Sequence, residues 1–168
     1  MCYAVLVANV FSRLGGLLKG AARGLLAGSS TSPTGAFFAD LTPEEHQRME
    51  RQRRVALAAA QTVGGPAAWS RSAADLEVLQ RMVDEEVFSP TQTFELQALG
   101  VVFGDVLETE LGLRWVVVMD ELGTDPTLRF RDTSIQVNAL TMIAQRVTEG
   151  RPVKLRELME EVRRSLPT

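Results

Sequence analysis

Nothing constrains this chain more than the change of hydrophobic period at Gly112. Upstream, Phe94, Leu99, Val102, Phe103, Val106, Leu107 and Leu111 recur at helical spacing and make one apolar face. Downstream, Leu113-Arg-Trp-Val-Val-Val-Met119 is a β-branched and aromatic run bounded by glycine and acids, which is strand composition. Thr127-Leu-Arg-Phe-Arg131 then alternates apolar and basic residues, as a half-exposed strand does, and Ser134 to Asn138 gives a third short strand. Glu121 to Pro126 reads as the first turn, and Asp132 with Thr133 as the second. A helix stopped by a glycine and followed by three closely connected strands predicts an α+β fold: a helix-rich domain with a three-stranded antiparallel meander flanked by helices.

The flanking helices carry their own punctuation. Thr42-Pro43-Glu44-Glu45 places a capping threonine, a proline at the first helical position and a glutamate that completes a capping box. That helix is expected to run to about Thr62, with Gly64-Gly65-Pro66 as its stop. A second helix is expected after Ser72, with Leu76, Leu79, Met82, Val83 and Val87 facing inward, and a third from Ser89-Pro90. Gly100 and Gly104, four apart in that third helix, allow a neighbour to approach closely. Two further helices, about Leu140–Thr148 and Leu155–Ser165, follow the strands and are expected to pack on one sheet face.

The organisation is uneven. Residues 37–168 form the single α+β domain, and Ser29 to Ala36, rich in Ser, Thr, Pro and Gly, reads as a linker. Residues 1–28 are a cationic amphipathic segment in which Ala4, Ala8, Ser12, Gly16, Gly20, Gly24 and Gly28 recur every fourth position. Arg13, Lys19 and Arg23 lie near that stripe, so Arg13, Gly16, Lys19, Gly20, Arg23 and Gly24 are the candidates for contact with a membrane surface or another helix. Packing on the domain and disorder stay open beside that reading. Three cations argue against a clean transmembrane span, and a charge that follows the apolar run is not the order of a secretory signal.

Charge and residue inventory narrow the function classes. The 168 residues carry a net charge of −3, but the three cations of residues 1–39 have no acid beside them. The rest holds 15 basic and 21 acidic residues, a net of −6, which disfavours nucleic acid and suits a basic protein partner. A single Cys, Cys2, excludes an internal disulfide, and with one His, His46, no four-ligand zinc site can be assembled. His46 sits in a solvated helical turn, so no nucleophile–histidine pair is expected, and no phosphate-binding glycine loop is present. No metal or cofactor is expected, and the chain reads as cytoplasmic with possible membrane association. The acids Asp105, Glu108, Asp120 and Asp125 keep a carboxylate-based hydrolase in view. The candidate binding residues cluster on the meander: Arg114, Trp115, Asp120, Glu121, Asp125, Arg129 and Arg131. Period-two alternation puts Arg129 and Arg131 on one strand face, with an arginine–carboxylate ladder as the structural expectation and a polar binding face as the alternative. Trp115 is expected as a core anchor of the sheet that can also line an interface.

The stretches Leu99-Gly-Val-Val-Phe-Gly-Asp105, Leu111-Gly-Leu-Arg-Trp-Val-Val-Val-Met-Asp-Glu121 and Leu140-Thr-Met-Ile-Ala-Gln-Arg-Val-Thr-Glu-Gly150 resemble a bacterial family of domains of unknown function, the one numbered 3806. The Gly-Leu-Arg-Trp step into an apolar strand is its most specific part, and residues 1–60 fall outside it. The resemblance implies a bacterial source and a helix–strand–strand–strand–helix module, and implies no activity. The leading expectation is a non-enzymatic protein-interaction module, an adaptor or an immunity-type binder. A membrane-peripheral protein anchored by residues 4–28 and a carboxylate-based hydrolase are the alternatives.

Overall fold

The computed structural model describes residues 30–31, 37–120 and 123–167. Strands β1 (Ser30–Thr31) and β2 (Phe37–Ala39) come first, followed by α1 (Pro43–Ala60) and a short 3-10 turn at Gln61–Val63. Then come α2 (Asp75–Asp84), α3 (Thr93–Leu111), β3 (Leu113–Asp120), β4 (Gly123–Phe130), β5 (Gln136–Val137), α4 (Ala139–Thr148) and α5 (Leu155–Ser165). The expected three-strand meander is present as β3-β4-β5, and it is part of a five-stranded antiparallel sheet in the order β1-β2-β3-β4-β5. The stretch expected as a linker thus supplies β1, which pairs with β2 at Ser30↔Phe38 and Thr31↔Phe37.

Local chemistry sets the element ends. Thr42 caps α1 with its side chain while Glu45 returns a bond to the Thr42 amide at 2.8 Å. Gly64 and Gly112 close their helices at φ +68° and +66°, a left-handed geometry that costs glycine nothing sterically. Ser89-Pro90 forms a turn rather than a cap: Gln92 N–H reaches Ser89 O, and α3 starts only at Thr93. β3 and β4 form a hairpin in which Asp120 pairs with Gly123, so β4 begins inside the stretch expected as a turn. Pro126 is tolerated in it because β5 pairs only with Leu128 and Arg129, leaving the first half of β4 a one-sided edge.

Almost every position of α3 from Leu96 to Leu107 is buried, because α1, α2, α4 and β3 all contact it. Register divides the sheet into two faces. Leu113, Trp115, Leu128, Phe130 and Val137 point inward and join the helices in one core. Arg114, Val116, Val118, Thr127 and Arg129 point to the outer face, where Phe38, Val116 and Val118 make a separate small cluster. Each fully buried Leu, Ile or Phe in the main core stabilises by about 1.5–3 kcal/mol. Of the last two helices, α4 contacts the sheet through β4, whereas α5 packs chiefly on α2 and α3. Gln80 of α2 holds the start of α5, donating to Val153 O at 2.9 Å and accepting from Leu155 N at 3.0 Å. No described helix is long and apolar enough to cross a membrane.

Candidate functional site

The densest polar cluster lies where α1, α3, β3 and the loop before α2 meet. Asp105, 1% exposed, sits one turn from Glu108 on the same side of α3. Arg53 of α1 grips it with both arms of its fork, Nε to Oδ2 at 2.6 Å and Nη2 to Oδ1 at 2.8 Å. Trp115 reaches the same carboxylate from β3, its indole N–H donating to Oδ1 at 3.0 Å. Arg71, at a positive φ of 57°, places Nη2 2.6 Å from Glu108 Oε2 and 3.7 Å from Asp105 Oδ1. Trp69 donates its indole N–H to Arg53 O at 3.2 Å. Gly104 makes room for this packing: a Cβ there would lie 2.2 Å from Trp115 Cζ2. Gly100 plays the same part against α4, where a Cβ would meet Leu140 O at 2.3 Å.

Burial by itself would lower the Arg53 pKa, but hydrogen bonding and charge from Asp105, then from Glu50, more than offset it and hold the guanidinium above the usual arginine value. An open cleft of about 280 Å³ borders the cluster, lined in part by Glu50, Arg54, Leu57 and Trp69. A larger groove, about 570 Å³ between α2 and the start of α5, is bordered by exposed charged side chains, among them the Arg156–Glu77 pair at 3.0 Å. The smaller cleft carries more chemistry because it touches a buried carboxylate. Yet Asp105 accepts two guanidinium N–H groups and one indole N–H, and Arg53 and Arg71 face acids. The arrangement is a clamp joining three elements and a loop, with no base or nucleophile left available in it.

The candidate residues of the meander scatter. Trp115 is an interior anchor, 6% exposed. Arg114 is exposed and lies 3.4 Å from Asp40. Register sets Arg114 directly opposite Arg129, so no arginine–carboxylate ladder forms there. Arg129 is 5% exposed; its Nε–H donates to Thr133 O at 2.6 Å and its Cζ lies 4.3 Å from the Phe38 ring centroid. Arg131 does not share the Arg129 face: β4 ends at Phe130, and Arg131 turns away at φ +49° with Cζ 4.7 Å over the Phe130 ring. Asp120 ends β3 opposite Gly123, Asp125 is exposed opposite Val118, and Glu121 lies outside the described residues. Asp105 and Glu108 are on the helix side while Asp125 is on the outer face, so these acids do not share one cleft. Arg13, Gly16, Lys19, Gly20, Arg23 and Gly24 also lie outside the described residues. Among the described residues, no group of three or more His, Cys, Asp or Glu side chains is placed to hold a metal ion.

Sequence reasoning missed one feature of the hairpin end. Phe37 and Met119 are direct cross-strand partners, 45% and 37% exposed, in the row Thr31–Phe37–Met119–Thr124 that runs across four strands. Asp125, beside Thr124, points to the opposite face, and Asp40, three residues from Phe37, faces Arg114. The signal was hidden because β2 has only three residues, too short to show a period.

The sheet and its helices recur elsewhere. A crystal structure from Bacteroides thetaiotaomicron VPI-5482 superposes with a TM-score of 0.67 at 18% identity, covering 79% of this chain and 48% of that one. At that identity the likeness is one of fold, and this chain spans about half the length of that protein. No curated protein matches the chain. The profile of the domain of unknown function DUF3806 matches residues 75–158, which is α2 through the first turn of α5 and half of the sequence. The chain therefore belongs to the DUF3806 family.

Proposed function

We propose that this domain is a non-enzymatic protein-interaction module, an adaptor or immunity-type binder, that docks a basic polypeptide at the hairpin end of its sheet. The observation that carries the reading is the exposed Phe37–Met119 pair, an aromatic and a flexible thioether side by side on a rigid sheet. Such residues serve as anchors in interface centres, and the acidic excess of the chain beyond residue 39 favours a cationic partner. The closed Arg53–Asp105–Trp115 clamp supports the non-enzymatic part, because its carboxylate has no free role. The reading places the protein in the cytoplasm, where a chain with one Cys needs no disulfide.

The test is capture from an extract of the source cells, with the partner identified by mass spectrometry, purified and titrated against the full chain. The Phe37→Ser/Met119→Ser double variant is expected to weaken that binding at least about tenfold, the effect of losing roughly 1.4 kcal/mol. Raised salt is expected to weaken it further. Unchanged binding by the double variant, or turnover of a hydrolase substrate panel by the purified chain, overturns the proposal.

A further inference from the structure

We infer that the cleft beside the Arg53–Asp105 clamp, on the helix side of the sheet, binds a small organic acid, with its carboxylate on Arg54 and Arg71 and its apolar body on Leu57 and Trp69. Among the described residues the cleft is lined by three arginines, Arg53, Arg54 and Arg71, against two acids, Glu50 and Asp105. The chain beyond residue 39 is acidic as a whole, so a lining richer in cations than acids stands apart from it. Hydrogen bonding separates the three arginines. Arg53 is fully committed: Nε and Nη2 donate to Asp105 and Nη1 to Glu50. Arg71 spends only Nη2, on Glu108, and among the described residues its Nε and Nη1 meet no acceptor. The exposed Arg54 guanidinium makes no hydrogen bond or ion pair with any described residue.

The loop that carries Arg71 is strained and held. Arg71 has φ +57°, a left-handed conformation that a long side chain rarely adopts. Asp75, 3% exposed, fixes it: its carboxylate accepts Arg71 N–H at 2.7 Å, Ser70 N–H at 3.1 Å and Ser70 Oγ–H at 2.8 Å. The solvent-facing Arg71–Glu108 pair does not offset such strain, because exposed ion pairs contribute little. What the conformation achieves is position. Arg71 and Trp69, two residues apart, both line the cleft, and Trp69 is fixed in turn by its indole bond to Arg53 O. Backbone strain held by a buried carboxylate, with donors left over, is how a ligand clamp is preorganised.

Size and charge select the ligand. The cleft, about 280 Å³, is at the small end of ligand sites, which span roughly 300–1,000 Å³. Leu57 and Trp69 offer an apolar wall for an aryl or branched alkyl group. Three arginines against two acids leave one cation in excess, and Glu108 draws on part of it. One negative charge is thus the most the cleft balances; a phosphate dianion would set a second beside Asp105 and Glu50.

The test titrates phenylacetate into the full chain and follows the Ser70 and Arg71 amides and the Trp69 indole N–H by NMR. Phenylacetamide and inorganic phosphate serve as comparisons. The expected result is a saturable shift at all three groups, with a dissociation constant on the order of 1 mM for an acid this small. Phenylacetamide and phosphate are expected to bind at least about tenfold more weakly, and so is phenylacetate to the Arg54→Gln/Arg71→Gln variant. Arg71→Gly, which relieves the left-handed strain, should keep the fold and still weaken binding. No saturable shift, equal or tighter binding of the amide or of phosphate, or unchanged affinity in either variant overturns the inference.

Discussion

The two sides of the sheet hold an arginine in opposite ways. Beside the inner face, Arg53 meets a carboxylate 52 residues away in sequence, and the pair is tied to Trp115 of the sheet. On the outer face, Arg129 rests on the Phe38 ring and on the carbonyl of Thr133, four residues along its own chain, with the like charge of Arg114 directly opposite. A bidentate pair around a buried carboxylate needs that partner, and losing it leaves a charge poorly compensated. A guanidinium over a ring and a carbonyl tolerates change and leaves donors for something else. The inner arginine depends on one distant partner, and the outer one on its own neighbourhood.

That contrast orders the expected effects of substitution. Asp105→Ala is expected to cost the most, about 2–4 kcal/mol, because it strips the half-buried Arg53 and the Trp115 indole N–H of their shared buried acceptor. Urea denaturation measures it, and the Arg53→Met/Asp105→Leu double variant should recover much of the loss. A double variant as unstable as the single one would show that pairing is not the cause. Gly104→Ala comes next, about 1–3 kcal/mol, since its methyl would collide with the Trp115 ring; thermal unfolding measures the loss and the indole N–H resonance of Trp115 should shift with it. Gln52→Leu should move the other way. The Gln52 amide in α1 is fully buried, and neither its nitrogen nor its oxygen has a hydrogen-bond partner, so an apolar replacement of similar size should stabilise by about 1–2 kcal/mol in the same denaturation experiment. Arg114→Ala, on the exposed rim of the outer face, should change stability by no more than about 0.5 kcal/mol.

Much of the inner side was legible in the sequence. The Thr42–Glu45 capping box, the stop at Gly112 and the close approaches at Gly100 and Gly104 are local signals, and each is read from a few neighbouring residues. The β3 run was equally plain, because its β-branched residues leave helix unattractive. What escaped detection was short or distant. β1 and β2, of two and three residues, have no period to read, and with them the Phe37–Met119 pair stayed invisible. Thr124-Asp125-Pro126 looked like a turn because an edge strand tolerates residues that a central strand rejects. The Arg53–Asp105 clamp joins residues whose local settings, a charged helix start and an apolar helix, give no hint of each other. Gln52 lies in a polar stretch of the sequence, yet it falls on the stripe of Met49, Ala56 and Ala60 that faces the core. Arg131 misled by continuing an alternation that the chain breaks at Phe130 with a positive φ.

The functional claim is tested most directly by the dissociation constant of the captured basic partner, measured by calorimetry against the full chain and its Phe37→Ser/Met119→Ser variant, with Arg114→Ala as the control. Binding weakened at least about tenfold by the double variant and left within about twofold by the control is the predicted result. Equal affinity for all three proteins would contradict it and remove the hairpin end of the sheet as the docking surface.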